Sequence, residues 1–160
     1  MFLLNNQRIL KIKKLFKNLN LDAFLISNFY NILYLTGFKG LSSQERESWF
    51  LITKNKSYFF TDSRYFLSSK KLKNIEIIIL SFKKNLLLYL KEIFEKEKVI
   101  NCGVEADDLK VNEFDLLVKE IKDVNFIPTE KIILKQRAIK DKKEIEKIKK
   151  ACQIGDECLK

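Results

Sequence analysis

The charged residues best placed to act on a ligand lie in a polar loop, residues 41–47 (LSSQERE), which contains the adjacent pair Glu45 and Arg46. Gly37 and Gly40 precede this loop and favour a chain that turns sharply. A carboxylate next to a guanidinium offers both an acceptor and a donor to a polar ligand. Charged loops are nevertheless more often a solvated surface. The sequence therefore leaves two roles for this loop, ligand contact or plain surface.

A second charged segment, TDSRY, follows an aromatic run at residues 61–65. Asp62 has the chemistry of an N-cap for a helix over residues 63–70. We expect Arg64 to pair with a carboxylate such as Glu105 and so to tie two strand ends together. A direct contact between Arg64 and a ligand is the alternative, because perturbed charges also cluster at functional sites.

Histidine is absent from all 160 residues, which removes the usual general base and the commonest metal ligand. Cys102 lies in an apolar run and is predicted to be in the core. Cys152 and Cys158 lack the CxxC spacing of a zinc site. We therefore expect neither a catalytic centre nor a metal site in this chain.

The formal charge of +10 comes from 31 Lys and Arg against 21 Asp and Glu. Only four of the basic residues are Arg, the type best suited to phosphate and guanine. The basic residues between 8 and 17 interleave with apolar ones at helical spacing, so a solvated helix face explains them. No stretch approaches the roughly 20 apolar residues of a membrane helix. We expect a cytoplasmic protein that binds neither nucleic acid nor membrane, with reduced cysteines.

Hydrophobic periodicity predicts alternating helices and strands along the whole chain. The predicted helices cover residues 6–18, 31–37, 63–70, 83–97, 111–121 and the segment from 141 onward. The predicted strands cover residues 22–27, 48–53, 57–62, 75–80, 99–105 and 123–129. Of these, 48–53 and 57–62 are aromatic and β-branched runs around a short polar turn, which predicts a β-hairpin. This order implies an α/β domain, a mixed sheet of about six strands with helices on both faces. The last helix continues to residue 160 without a stop signal, which suggests that more chain follows.

Four segments in this order resemble the creatinase/prolidase-type amino-terminal domain. They are SNFYNILYLTGFKG (27–40), FFTDSRYF (59–66), CGVE (102–105) and RAIKDKKEIEKIKKACQI (137–154). The residues that carry the resemblance as a structural motif are Asn31, Tyr34, Gly37, Phe38, Asp62, Tyr65 and Glu105. The resemblance implies a sheet with ribonuclease H-like layering over residues 1–136. Residues 137–160 would then begin a linker helix into a second domain.

The resemblance also implies an activity for the whole protein, that of a Xaa-Pro aminopeptidase or Xaa-Pro dipeptidase. In this family a carboxy-terminal "pita-bread" domain holds two divalent metal ions, with manganese the expected metal here, and hydrolyses the bond before proline. The implied partners are that catalytic domain, proline-containing peptides and a second subunit in a homodimer. The 160-residue chain alone is expected to be inactive.

In prolidase-like members a similar loop reaches the active site of the neighbouring subunit. By that resemblance Glu45 and Arg46 would contact the substrate, while Trp49 and Arg64 would help to form the pocket wall. Trp49 in a strand is also typical of a core or interface residue. The alternative function is a stand-alone, non-catalytic interaction module of the same fold. Dipeptides, longer peptides and creatine-like compounds are all open as substrates at this stage.

Overall fold

The computed structural model describes residues 2–40, 42–43 and 45–159, so Leu41 and Gln44 of the polar loop lie outside the described residues. Within this part of the chain, helices are found at α1 (Phe2–Leu19), α2 (Phe29–Thr36), α3 (Phe66–Ser69), α4 (Leu86–Glu97), α5 (Val111–Glu120), α6 (Ile132–Ala138) and α7 (Lys142–Cys158). A 3₁₀ turn at Ser63–Tyr65 precedes α3. The strands are β1 (Ala23–Ile26), β2 (Ser48–Thr53), β3 (Ser57–Thr61), β4 (Glu76–Ile79), β5 (Asn101–Glu105) and β6 (Asn125–Thr129).

The strands form a six-stranded mixed sheet in the order β4-β3-β2-β1-β5-β6. β2 pairs antiparallel with β1 and β3, whereas the β3–β4, β1–β5 and β5–β6 pairs are parallel. Within the described sheet, β2 therefore runs opposite to the other five strands. The carboxyl ends of those five strands and the entry to β2 consequently meet at one edge of the sheet.

Both faces of the sheet are covered by helices, because side chains alternate along each strand. On one face, α4 and α5 pack against strand residues such as Leu25, Leu51 and Phe60. On the other face, α1, α2 and α6 pack against strand residues such as Phe24 and Phe59. The predicted fold class is confirmed, with a core on each side of the sheet.

The predicted elements agree with the structure apart from their ends and one helix. The expected hairpin between β2 and β3 closes through the amide of Thr53, which donates to the carbonyl of Lys56 at 2.9 Å. Helix α6 was not predicted. It has only seven residues, and Lys131, which precedes it with φ 56°, supplies no capping side chain. α6 is nevertheless anchored in the core by the buried Ile133.

Helix α2 leads towards the polar loop, and a capping interaction fixes both its start and its end. The side chain of Asn28 caps its start by accepting from the amide of Asn31 at 3.1 Å. Gly37 ends it with φ 73°, the left-handed conformation that glycine adopts most easily, and donates to the carbonyl of Leu33 at 2.8 Å. The next residue, Phe38, is buried against Phe59.

Among the described residues, no helix combines the length and apolarity needed to cross a membrane.

Cys102 is fully buried in β5, as its apolar surroundings predict, and burial raises the pKa of its thiol.

Candidate functional site

The candidate site is formed by polar residues at the end of the sheet where the carboxyl ends of five strands and the start of β2 lie together. We call this site the polar edge. It comprises the residues that follow β1, β3 and β5, together with the part of the polar loop that leads into β2. In open α/β sheets, ligands bind outside the carboxyl ends of the strands, and this is the corresponding place in the fold. The polar edge is therefore where a function of this domain is to be sought.

Glu105 ends β5 and is the buried centre of the polar edge, with only 7% of its surface exposed. Its carboxylate accepts hydrogen bonds from the amide of Ser27 at 2.8 Å and that of Asn28 at 2.7 Å. The side-chain amide of Asn31 donates to it at 2.5 Å. Burial raises the pKa of Glu105, although these three hydrogen bonds act in the opposite direction. Glu105 thus fastens the start of α2 to the end of β5.

Asp108 extends this contact one turn further along the chain. It accepts from the hydroxyl of Ser27 at 2.7 Å and from the side-chain amide of Asn28 at 2.8 Å. Burial acts to raise the pKa of Asp108, but hydrogen bonds from Arg46, Ser27 and Asn28 outweigh it and hold the pKa below its usual value. Asp108 is therefore an ionised acceptor that joins the β5 end to both β1 and the polar loop.

Arg46 is the loop residue that reaches Asp108, and its guanidinium is fully engaged within the chain. It donates to the Asp108 carboxylate, to the Asp108 carbonyl at 3.2 Å and to the Ser27 carbonyl at 2.5 Å. Two further hydrogen bonds, at 3.2 and 3.1 Å, form a fork with the carboxylate of Glu113 on α5. The guanidinium also lies 5.0 Å from the centre of the Trp49 ring. Arg46 therefore holds one side of the loop to the domain.

Glu47 holds the other side of the loop, with a side chain only 5% exposed. It accepts from the amide of Ser42 at 2.8 Å and from the Tyr65 hydroxyl at 2.7 Å. The Ser42 amide, followed by Tyr65, lowers the pKa of Glu47. The loop is thus anchored in opposite directions by two consecutive residues, and the exposed Glu45 immediately precedes both.

The predicted pairing of Arg64 with Glu105 is wrong. Arg64 follows β3 and binds Asp62 at 2.6 Å and Glu47 at 3.2 Å. Two strands, β2 and β1, separate β3 from β5 in the sheet, which places the two residues at different points along the edge. Asp62 was predicted to cap a helix over residues 63–70, and it caps the 3₁₀ turn at the start of that segment by accepting from the amide of Arg64 at 2.8 Å. Helix α3, which follows the turn, has no side-chain cap.

The remaining predicted residues surround this network. Trp49 is buried in the core beneath Arg46. Tyr34 is half-buried, and the guanidinium of Arg8 stacks on its ring at 3.9 Å. Phe38 packs edge-on against Tyr65 at 6.2 Å between ring centres. Trp49 and Phe38 therefore pack against Arg46 and Tyr65, the residues that hold the loop, and Tyr34 packs against Arg8.

A cavity of about 280 Å³ opens at the same edge between β5, β6 and α6, beside Asn31 and Glu105. Arg137 of α6 lines it and donates to the Asn31 side chain at 2.8 Å. Across the described residues, every buried side-chain nitrogen and oxygen has a hydrogen-bond partner. The buried polar side chains of the polar edge are therefore all hydrogen-bonded, and these bonds hold the polar loop, α2 and α6 to the sheet.

The polar residues of the polar edge bind one another through hydrogen bonds and ion pairs. The sequence contains no histidine, and the described residues include no group of three or more His, Cys, Asp or Glu that could hold a metal ion. The resemblance assigns the dinuclear metal centre to a second, carboxy-terminal domain and not to the residues of this chain. Of the two candidate loop residues, Arg46 is engaged by the domain, and Glu45 is exposed with its side chain in contact with Glu47.

Sequence reasoning missed four residues that organise the polar edge: Glu47 as an anchor, Asp108, Glu113 and Arg137. A signal for Asp108 was available, since the pair Asp107-Asp108 follows the CGVE strand end after a single alanine. Glu113 resembles any surface acid of an amphipathic helix. Its partner Arg46 is 67 residues away, and only the folded arrangement brings the two together.

The chain is similar in sequence and in structure to proteins described as peptidases. It is 26% identical over 155 residues to the Xaa-Pro dipeptidase of Pyrococcus horikoshii, a match covering 96% of this chain and 41% of that protein. The Xaa-Pro dipeptidase structure from Bacillus anthracis has a TM-score of 0.84 and 26% identity, covering 97% of this chain and 42% of the other. The N-terminal domain of cytoplasmic peptidase PepQ from Mycobacterium tuberculosis shares the fold, with a TM-score of 0.67 and 22% identity, covering 81% and 97% respectively.

The chain spans about two fifths of the length of the curated relatives it matches. The family model described as the creatinase/prolidase N-terminal domain matches residues 8–139, most of the sequence. The chain has a six-stranded mixed sheet covered on both faces, and the Asn31–Glu105 contact joins two of its motif segments. The chain belongs to the creatinase/prolidase N-terminal domain family.

Proposed function

We propose that this chain is the non-catalytic N-terminal domain of a cytoplasmic Xaa-Pro peptidase and that its polar loop forms part of the substrate-pocket wall. The family and the peptidase relatives support the first part. The observation that supports the second is the double anchoring of the loop by Arg46 and Glu47, which presents Glu45 to the outside. Glu45 precedes two anchored residues, so it can contact a ligand with little further ordering of the backbone beside it.

Each candidate residue has a distinct part in this proposal. Glu45 is the contact residue, suited to the ammonium group of a peptide or to a cation on a second subunit. Arg46 is a positioning residue, because its donors are already used within the chain. Trp49 supports Arg46 from the core, and Arg64, whose side chain is 63% exposed, borders the same surface.

The catalytic step belongs, in this proposal, to a second domain that follows residue 160 and holds two divalent metal ions, with manganese the first candidate. That domain would supply the activated water that attacks the carbonyl before proline. The proposed homodimer would bring the loop of one subunit to the pocket of the other.

The test begins with the reading frame beyond codon 160. The longer chain is assayed for hydrolysis of Xaa-Pro dipeptides and of longer peptides with proline in the second position, with and without Mn²⁺. We expect hydrolysis by the longer chain and none by the 160-residue chain. A frame that stops near codon 160 would instead support the alternative function, a stand-alone interaction module.

The role of the loop is tested separately with Glu45→Gln in the longer chain. Losing one charge-assisted contact of about 1.5–3 kcal/mol is expected to reduce kcat/KM at least about tenfold. Glu92→Gln is the matched control, because Glu92 is an equally exposed acid on α4, away from the polar edge. Equal activity of the two variants would contradict the proposed contact.

A further inference from the structure

The two outer strands of the sheet differ in whether their free edge can pair with a further strand. Strand β6 contains Pro128, the one proline of the sequence. Proline has no amide N–H to donate, so it interrupts the edge of β6 and protects it from further pairing. Strand β4 lies at the opposite end of the strand order and contains neither proline nor glycine. Among the described strands β4 pairs with β3 alone, so its other edge is open.

The hydrogen bonds to β3 show which backbone groups of β4 point outward. The amide of Leu80, directly after β4, donates to the carbonyl of Thr61 at 2.7 Å. Alternate residues of a strand direct their N–H and C=O groups to the same side, so Ile78 also faces β3. Ile77 and Ile79 therefore direct their N–H and C=O groups away from the sheet, where a further strand can pair with them.

Lysines lie at both ends of β4. The segment 70–84, which includes β4, contains one acid and five basic residues, Lys70, Lys71, Lys73, Lys83 and Lys84. The acid, Glu76, already binds Lys56 at 3.1 Å. Of the five lysines, Lys84 binds Glu92 of α4 at 2.6 Å. The open edge therefore has positive charge before and after the strand, and the only acid between the two groups is already paired.

Exposed apolar side chains lie in the segments that flank β4. Leu67 belongs to α3, which contacts β4, and is 78% exposed. Phe82, three residues after the end of β4, is fully exposed. These two side chains offer apolar contact area to a segment bound at the edge.

The charge at both ends of β4 decides which strand the edge can accept. A second copy of the chain would bring lysines at both ends of its own β4, so parallel and antiparallel pairing would both place like charges together. Edge lysines are a common means by which sheets avoid pairing with themselves. An extended segment with acidic residues at its two ends would meet opposite charges instead. The charge pattern therefore disfavours self-pairing and favours an acidic strand.

We propose that the open edge of β4 is the docking site for an extended, acidic segment of a partner protein. The segment adds a strand to the sheet, with its backbone paired to Ile77 and Ile79 and its acidic residues beside Lys71 and Lys83. This surface uses none of the residues of the proposed substrate-pocket wall, so it adds a partner that the proposed function does not include.

Amide hydrogen exchange of the 160-residue chain with a synthetic peptide tests the proposal. The peptide has three Thr-Val repeats with two glutamates at each end, and fluorescence anisotropy measures its binding. Exchange at Ile77 and Ile79 is expected to be fast in the free chain and to slow by at least about tenfold with saturating peptide. Exchange at Ile78, which faces β3, reports that the sheet is intact. Unchanged exchange at Ile77 and Ile79 would overturn the proposal.

Two altered peptides separate strand pairing from simple charge attraction. Proline in place of the middle valine keeps the charge of the peptide but removes a donor, so Ile77 and Ile79 are expected to stay unprotected. Lysine in place of every glutamate reverses the charge, and this peptide is expected not to bind. Equal protection by the proline peptide, or protection by the lysine peptide, would refute docking as an acidic strand.

Paired variants of the chain locate the charges. Lys71→Glu combined with Lys83→Glu changes one exposed lysine at each end of β4 and is expected to weaken peptide binding at least about tenfold. Lys149→Glu combined with Lys150→Glu makes the same change in net charge on α7 and is expected to alter binding by less than about twofold. Equal weakening by the two pairs would assign the binding to net charge and overturn the proposal.

The oligomeric state separates the acidic segment from a second copy as the occupant. Sedimentation of the 160-residue chain without peptide is expected to give no association through β4. Protection of Ile77 and Ile79 that rises with the concentration of the free chain would assign the edge to a second copy and overturn the proposal.

Discussion

The contact between Arg46, Asp108 and Glu113 can be tested quantitatively through Arg46→Met, which keeps much of the side-chain volume and removes the charge. Five hydrogen bonds are lost. Asp108 keeps its donors Ser27 and Asn28, and Glu113 keeps the amide of Lys110. Neither acid is left without a partner, which limits the cost of the substitution.

The expected cost lies between those of exposed and buried ion pairs, since the side chains of Arg46, Asp108 and Glu113 are 20–23% exposed. Exposed pairs contribute up to about 1 kcal/mol, and breaking a buried pair costs about 3–5 kcal/mol. We expect the free energy of unfolding to fall by about 2 kcal/mol, which lowers Tm by about 4–8 °C for a chain of this length. Urea unfolding of the 160-residue chain measures the difference.

Arg64→Met is the matched control, because Arg64 also binds two acids but its side chain is 63% exposed. It should cost clearly less than Arg46→Met, because water screens an exposed ion pair. The pKa of Asp108 is depressed below 3.8, so its contribution to stability is present above that pH and is lost as the pH falls through the depressed pKa. The cost of Arg46→Met should therefore shrink below about pH 4. An equal cost for both variants, or one that does not change with pH, would refute this account of the anchor.

Three further predictions concern other contacts. Burial raises the pKa of Glu105, so the free energy of unfolding of the unmodified chain should fall relative to that of Glu105→Gln as the pH rises from 4.5 through the raised pKa. Urea titrations of both proteins between pH 4 and 8 measure this difference. A rise in the same difference would mean that the hydrogen bonds to Glu105 outweigh its burial. Gly37→Ala, at φ 73°, should lower the free energy of unfolding by about 1 kcal/mol, whereas Gly155→Ala inside α7 should lower it little or raise it. Arg8→Met should speed amide hydrogen exchange in the first two turns of α7 without changing exchange in β1; unchanged exchange in α7 would show that Arg8 does not hold that helix.

The sequence was a good guide wherever local chemistry decides structure. The aromatic and β-branched runs of β2 and β3 on either side of a short polar turn predicted a hairpin, and Asp62 predicted a cap, because both depend on neighbours within a few residues. Gly37 predicted the end of α2 for the same reason. The order of the predicted elements gave the fold class before any long-range contact was known, and the family motifs pointed to the same fold.

The partners of charged residues were not predictable in the same way. Sequence reasoning paired Arg64 with Glu105, but the order of the strands places β2 and β1 between them. It also considered Arg46 as a ligand contact, while the Asp108 carboxylate it binds lies 62 residues away. Pairing across such separations depends on the strand order, which hydrophobic periodicity does not specify.

The position of β1 has a consequence for how the domain is made. β1 pairs with β2, which follows soon after it, and with β5, where Ala23 lies opposite Cys102. As the nascent chain leaves the ribosome, β1 therefore has one open edge until about eighty more residues have been added. Such an unpaired apolar edge invites aggregation and is one that chaperones commonly cover. Because Glu105 arrives only with β5, the start of α2 acquires its carboxylate acceptor at the moment when β1 gains its second neighbouring strand.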